Sequence, residues 1–242
     1  MERKKNILIA LFISLLLPAF GQINQTIYKS YISGNMVEWK KYMDSYKSIT
    51  NAEKLDLINY QYGYIAYCID QDKKSEAEKY LQKAENLIAD LEKQQYNLSM
   101  IYAYKAAFVG FKIGLSPYKA PFIGNESLIF AKKSIALDGN NFLGYIQLGN
   151  IAFYTPSIFG GSKTEALSHY KRALELMEKK PDCIKYNWNY LNLLSAIINN
   201  YYELKQFDLA KKYCIKTLAF EPEFDWVKNQ LYPKILKQKN NE

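Results

Sequence analysis

The side chains suited to acid–base or nucleophilic chemistry are sparse in this sequence. His169 is the only histidine, and it directly precedes Tyr170 within a helical pattern. Ser116 and Lys119 match the S-x-x-K pattern of penicillin-interacting enzymes, in which the lysine lies one helical turn after the serine. The partner motifs S-D-N and K-T-G do not occur, and no acid is placed to orient His169 as a base. The sequence therefore predicts no catalytic residue and a protein that is not an enzyme.

The cysteines also give little support to metal chemistry. Cys68, Cys183 and Cys214 are far apart in sequence, and with a single histidine they do not form a set of ligands at zinc-site spacing. We therefore predict no metal site and no cofactor. We expect Cys68 and Cys214 to be buried as small hydrophobic residues. A Cys183–Cys214 disulfide is the alternative, and an odd count leaves at least one thiol unpaired.

The N-terminus has the organisation of a secretory signal peptide. Three basic residues at 3–5 precede an apolar run at 7–17, and the sequence PAFGQ follows at 18–22. The apolar run is shorter than the roughly 20 residues of a spanning helix. We expect cleavage near Gly21–Gln22 and an exported protein, periplasmic or secreted, with no membrane span after cleavage. An uncleaved N-terminal anchor is the alternative.

The excess of basic residues has two interpretations. The formal net charge of +8 could favour nucleic acid or anionic surfaces. The lysines, however, alternate with acidic residues along helical faces, as between Glu76 and Lys79. This alternation is typical of a solvated helix surface, so we predict no nucleic-acid partner.

Apolar residues follow a helical period nearly everywhere after residue 25, and part of the pattern repeats. A shift of 39 residues places Val109 and Gly110 on Leu148 and Gly149. Fixed-period repeats of this kind predict stacked helical hairpins. We predict a signal peptide at 1–21 and one helical-repeat domain at 22–242. The domain divides into a degenerate hairpin at 26–48, repeats at about 55–92, 97–140, 142–180 and 191–222, and a capping helix at 223–239.

The repeats resemble the tetratricopeptide repeat (TPR) family, and the resemblance covers about residues 55–224. The residues that carry it are Leu148, Gly149, Ala152, Ala166, Tyr170 and Ala173 in one unit, and Ile197, Tyr201, Phe207, Ala210 and Pro222 in the next. The resemblance implies an all-α, tetratricopeptide-like α-solenoid of stacked antiparallel hairpins with a C-terminal capping helix. The sequence PSIFGG at 156–161 resembles a loop of exported bacterial repeat proteins, including the T component associated with some tripartite periplasmic transporters.

The family's register implies that the first helix of each repeat lines a concave groove. Tyrosine there offers a rigid apolar face with a polar tip, which suits extended peptides or amphiphiles. No lysine or arginine occupies an inner groove position, so we do not expect recognition of a carboxylate terminus. The alternative is that these side chains simply pack. The candidate groove residues are Tyr62, Tyr104, Phe111, Asn150, Tyr154, Asn192, Asn199 and Tyr202.

Two lengthened loops, at 116–126 and 155–163, occupy equivalent places in successive repeats and should share one edge of the stack. Their apolar residues are Phe122, Ile123, Ile158 and Phe159. These side chains either fold back and plug the groove, or form an exposed hydrophobic rim.

The sequence thus favours an exported, non-enzymatic scaffold that binds a protein or peptide partner in its concave groove. The alternative is a periplasmic accessory protein that binds a small apolar ligand or assists transport. An enzyme assembled from residues distant in sequence is a third hypothesis.

Overall fold

A computed structural model describes residues 24–239, and all regular structure within this range is helical. The predicted all-α fold is confirmed. The predicted signal peptide at 1–21 lies outside the described residues. The first described helix, α1, covers residues 24–32. The following helices are α2 (Met36–Ser45), α3 (Asn51–Asp70), α4 (Lys74–Lys93), α5 (Leu98–Leu115), α6 (Ala120–Leu137), α7 (Phe142–Tyr154), α8 (Lys163–Glu178), α9 (Trp188–Glu203), α10 (Phe207–Phe220) and α11 (Tyr232–Lys239).

Consecutive helices pair into four hairpins, α3/α4, α5/α6, α7/α8 and α9/α10, which make the most extensive contacts in the fold. The hairpins also contact one another in chain order: α5 packs against α3 and α7, and α8 packs against α9. This is the solenoid-like arrangement that the repeat period predicts. The exact division into repeats stays a prediction.

Helix α3 begins at Asn51, four residues before the predicted start of its repeat. The cause is a capping box. Thr50 Oγ1 accepts a hydrogen bond from the backbone N–H of Glu53, and the Glu53 carboxylate accepts one from the backbone N–H of Thr50. Two backbone donors that would otherwise lack partners at the helix start are thereby satisfied.

We expect Thr50→Ala to lower the free energy of unfolding by about 1 kcal/mol, because the alanine leaves the backbone N–H of Glu53 without its cap. Urea denaturation would measure the change. Thr164→Ala is the control, because Thr164 is exposed and Ser162, not Thr164, caps α8. Equal losses in both variants would contradict the assigned role of the box.

The C-terminal segment covers the last hairpin, as predicted. Phe224, Val227, Leu231 and Ile235 are all buried. The segment is not one regular helix, because Trp226–Leu231 is π-helical and α11 follows. Pro233 lies two residues beyond the π-helix and has no backbone N–H to donate, which favours irregular bonding in the preceding turn.

Among the described residues, α5 is the only helix long and apolar enough to cross a membrane by length and composition. Half of its residues are buried inside the protein. The helix contacts α3, α4, α6 and α7, so its apolar surface serves the packing of the hairpins.

Candidate functional site

The inner side of the stack holds a cluster of aromatic rings, which we call the aromatic cluster: Tyr31, Trp39, Tyr62, Trp188 and Phe224. The rings of Trp39 and Trp188 meet edge to face with centroids 5.2 Å apart. Tyr31 lies 5.5 Å from Trp188 and 5.3 Å from Phe224. Tyr62 lies 5.9 Å from Trp188. Side chains from α1, α2, α3, α9 and the C-terminal segment therefore fill one common space.

Helix α1 joins the two ends of the chain across this space. The Tyr28 hydroxyl donates to Glu221 Oε2 at 2.8 Å, and the Tyr31 hydroxyl donates to Asn192 Oδ1 at 3.2 Å. These bonds connect residues 193 and 161 positions apart. Helix α1 is consequently bonded both to α9 and to the residue that ends α10.

Gly63 shows how closely the rings approach α3. A Cβ atom at this position would lie 2.9 Å from both Trp39 Cζ2 and Trp188 Cη2. Such a distance is shorter than real Cβ contacts, so the glycine is what allows both tryptophans to reach the helix. The tryptophans pack directly against the α3 backbone.

Two of the candidate groove residues, Tyr62 and Tyr104, are almost fully buried, at 5% and 2% exposure. Tyr62 stacks on Phe111 at 5.5 Å and meets Tyr104 edge to face at 5.9 Å. Burial raises the pKa of the Tyr62 and Tyr104 hydroxyls, so both stay neutral. For these two residues the packing alternative applies, because both are almost fully buried against neighbouring rings.

The remaining candidates do not form one open surface. Asn150 accepts a hydrogen bond from the Tyr170 hydroxyl at 2.8 Å and donates to Gln147 at 3.2 Å. Tyr202 packs edge to face on Phe207 at 5.6 Å. Of the others, Phe111, Asn192 and Asn199 are half-buried, and Tyr154 is 77% exposed. The polar members are thus mostly engaged within the protein.

Apolar side chains near both predicted loops face solvent. The prediction of a loop at 116–126 is wrong in its second half, because Ala120 begins α6 with Pro121 in its first turn, so Phe122 and Ile123 lie in that helix. Phe122, Ile158 and Phe159 are 81%, 83% and 75% exposed, and we call these three residues the rim. Ile123 is half-buried. The rim side chains do not plug the interior, which the aromatic cluster fills instead.

The second loop of the rim has a fixed backbone shape. Gly160 has a φ of +90°, and a Cβ atom on Gly161 would lie 1.7 Å from the carbonyl oxygen of Thr155. Both positions therefore require glycine. The Gly161 N–H donates to the Pro156 carbonyl at 3.1 Å, and the Ser162 side chain caps α8 by accepting from the Glu165 N–H at 3.2 Å.

An open cleft of about 410 Å³ lies at the other edge of the stack. It is formed by the N-terminal parts of α3, α5, α7 and α9, by α1, and by the connection between α8 and α9. The rim follows the C-terminal ends of α5 and α7, so the cleft and the rim are at opposite ends of these helices. The polar and aromatic residues that line it include Asp56, Asn59, Phe142, Asp182, Cys183, Lys185, Tyr186, Trp188 and Asn189.

The polar groups of the cleft are partly satisfied. Asn189 Nδ2 donates to Asn59 Oδ1 at 3.1 Å, and the Asn189 backbone N–H donates to Asn187 Oδ1 at 3.0 Å. The hydrogen bonds found among residues 24–239 do not use Asn59 Nδ2 or Asn189 Oδ1. Trp188 is 4% exposed, and its indole N–H is buried without a hydrogen-bond partner in the same range. Other buried polar atoms in the described residues also lack a partner, Ser195 and Asn200 of the same helix among them, so this donor does not by itself indicate a site.

The charged groups of the cleft are Asp56, Asp182 and Lys185. Burial raises the pKa of the Asp56 carboxyl, and the hydrogen bond from the Tyr46 hydroxyl at 3.5 Å acts in the opposite direction. With both aspartates ionised, the cleft has a formal charge of −1. Its lining is therefore mixed aromatic and polar, with a slight negative charge.

Of the candidate binding residues named from the sequence, only Tyr104 lines the cleft. The cleft residues come from α1, α3, α5, α7, α9 and the α8–α9 connection, and no motif joins them. The one local signal was the pair of asparagines that flank Trp188, and Asn187 is the N-cap of α9.

All three cysteines are free, so the Cys183–Cys214 disulfide is not formed. Cys68 and Cys214 are buried, as predicted, whereas Cys183 is exposed and lines the cleft. Burial raises the pKa of the Cys68 thiol to about 11 and that of Cys214 to about 12.

We expect a thiol reagent at pH 8 to modify only Cys183 in the folded protein, because the other two are inaccessible and protonated. All three thiols should react after denaturation. Intact-mass spectrometry would count the adducts, and the Cys183→Ser variant should take none while folded. Rapid modification of Cys68 or Cys214 in that variant would contradict the burial described above.

The other groups considered for catalysis are not assembled into a site. His169 is half-buried, with Nε2 3.6 Å from Glu165 Oε1 on the same helix. Ser116 is buried at the end of α5, whereas Lys119 is exposed in the short turn Pro117–Lys119. Within residues 24–239, no three His, Cys, Asp or Glu side chains converge as metal ligands.

Comparisons with known proteins give one informative similarity. No family model matches the sequence, and no curated protein matches it. Among solved structures, the HusA haemophore from Porphyromonas gingivalis is similar, with a TM-score of 0.56 and 16% sequence identity. The similarity covers 80% of this chain and 93% of that one. At this identity it shows a shared fold, and membership of the TPR family stays a prediction.

Proposed function

We propose that this chain is an exported, non-enzymatic binding protein that holds a small ligand in the cleft. The observation that carries the proposal is the cleft itself, whose volume of about 410 Å³ lies within the usual range of ligand pockets. Its lining combines aromatic side chains with a few polar groups, as in many small-molecule sites.

The filled interior supports a small ligand over an extended peptide. A peptide in the concave groove would need Tyr62 and Tyr104, and both are almost fully buried. Tyr62 packs against Trp188, Tyr104 and Phe111, so a peptide would reach it only after these rings moved. The cleft offers a ready surface without that rearrangement.

The similarity to HusA is compatible with this proposal. That protein is named as a haemophore, so a helical fold of this kind carries a ligand-binding protein in at least one case. Export is supported separately by the order of charged, apolar and small residues at 1–22.

Native mass spectrometry of the full chain, purified without denaturation from its native envelope fraction, tests the proposal. We expect an added mass of a few hundred daltons in the wild-type protein. Asn189→Leu should lose the added mass, and the rim variant Phe159→Ser should keep it. An unliganded wild-type protein, or an added mass kept by a folded Asn189→Leu variant, would overturn the assignment to the cleft.

A protein partner at the rim is the second candidate, because Phe122, Ile158 and Phe159 are all at least 75% exposed. The PSIFGG resemblance to transporter-associated repeat proteins concerns this same loop. Chemical cross-linking in the native envelope should then capture a partner with the wild-type chain and with Asn189→Leu. The triple variant Phe122→Ser, Ile158→Ser, Phe159→Ser should capture none, and retention by that variant would exclude the rim.

A further inference from the structure

We infer that the cleft binds a neutral, hydroxyl-rich ligand with an apolar face, of which a short oligosaccharide is the fitting chemical class. This inference rests on the proposed function and specifies its ligand. Three independent features of the cleft support it: its amide groups, its aromatic side chains and its charge.

The amide groups offer paired recognition of hydroxyls. Asn59 and Asn189 are joined by one hydrogen bond of 3.1 Å, which leaves the Nδ2 donor of Asn59 and the Oδ1 acceptor of Asn189 for a ligand. A hydroxyl group both donates and accepts, so it can satisfy such a pair. An apolar ligand would bury both groups without partners, at a cost in affinity.

The aromatic side chains supply the apolar contact. Phe142 is half-buried and Tyr186 is 40% exposed, and both line the cleft. Tyr186 has a φ of 53°, which is uncommon for a bulky residue and is a strained conformation. Its ring is held edge to face against Tyr28 at 5.7 Å. Strain of this kind concentrates at ligand-binding segments, and a sugar ring presents C–H groups suited to an aromatic face.

The net negative charge of the cleft favours neutral ligands over acidic ones. Asp56 and Asp182 outnumber Lys185, so a ligand bearing carboxylates or phosphates meets net repulsion. Hydroxyl groups, in contrast, donate well to carboxylate oxygens. Haemin carries two carboxylates and is therefore disfavoured in this cleft.

Isothermal titration of the full mature chain tests the inference with three sets of probes: neutral tri- and tetrasaccharides, haemin, and uncharged hexapeptides. We expect at least one neutral oligosaccharide to bind. Its uronic-acid analogue should bind about tenfold more weakly, because its carboxylate is repelled by the net negative charge of the cleft.

Asn59→Ala is the sharpest variant because it removes the unused Nδ2 donor from a half-buried side chain that lines the cleft. We expect about tenfold weaker saccharide binding with little change in stability, since one ligand hydroxyl loses its hydrogen bond. A purely structural role would leave saccharide affinity unchanged. Tyr186→Ala should also weaken binding, and the triple rim variant should not.

The outcomes separate this inference from the proposed function. If haemin or a hexapeptide binds and Asn189→Leu abolishes that binding while no saccharide binds, the cleft is a ligand site and the saccharide assignment is wrong. If no probe binds and native mass spectrometry shows no added mass, the proposed function fails as well.

Discussion

Replacing Trp39 with alanine is expected to lower the free energy of unfolding by about 3–5 kcal/mol. Trp39 is fully buried, and its ring contacts Trp188 at 5.2 Å and Tyr31 at 6.1 Å. Its indole N–H donates to the Tyr60 carbonyl at 3.1 Å. The substitution therefore leaves a cavity where α1, α2, α3 and α9 meet, and it removes a buried hydrogen bond.

Trp226→Ala provides the control, since Trp226 is 44% exposed on the C-terminal segment. We expect it to cost less than about 1 kcal/mol, as exposed substitutions generally do. Urea denaturation followed by far-UV circular dichroism would measure both variants. Similar losses in the two variants would mean that Trp39 does not occupy the packed interior.

Gly149→Ala is the second substitution with a large expected effect. An added Cβ would lie 2.4 Å from Tyr170 Cε1, and Tyr170 is itself buried with its hydroxyl bonded to Asn150. The ring cannot withdraw without breaking that bond. Overpacking of this kind costs about 1–3 kcal/mol, so the α7/α8 hairpin should be destabilised.

Gly110 offers a matched control, because a 39-residue shift places it on Gly149. No atom lies within 4 Å of an added Cβ at Gly110, and the position is exposed within α5. Gly110→Ala should therefore leave stability unchanged or raise it by up to about 1 kcal/mol, through the higher helix propensity of alanine. Thermal unfolding would measure the stability of both variants. Equal shifts in melting temperature would contradict the close contact between position 149 and the Tyr170 ring.

The hairpins were predictable because the signals that define them are local. Ala166, Tyr170 and Ala173 lie within two helical turns, and all three are buried as their spacing predicts. The small residues allow close helix approach, and the tyrosine fills the adjacent space. Such information is contained in a short window of sequence. The same holds for the buried face of the C-terminal cap.

The long-range contacts of α1 could not be predicted in the same way. They include those of Tyr31 with Asn192 and Tyr28 with Glu221, which are separated by more than 160 positions. The register implied by the resemblance points Tyr62 and Tyr104 toward the inside of the stack. Whether that side is open or filled is decided by α1 and Trp188, and periodicity carries no information about these partners.

The cleft was missed for a related reason. Asn59 and Asn189 are 130 positions apart, and neither belongs to a recognisable motif. The connections after α5 and α7 were easier to predict, because they fall at equivalent places in consecutive repeats. The structure was needed to show that Phe122 lies in α6 and that the rim side chains are exposed.

The most direct test of this account is the rate at which Cys183 is modified with and without ligand. Cys183 lines the cleft, so a saturating neutral oligosaccharide should slow its reaction with a thiol reagent several-fold. In the double variant Cys183→Ser, Ser157→Cys, the new thiol lies beside the rim at an exposed position and should react at the same rate with or without ligand. Protection of the rim cysteine, with Cys183 unprotected in the wild-type chain, would contradict the account and move the binding surface to the opposite edge.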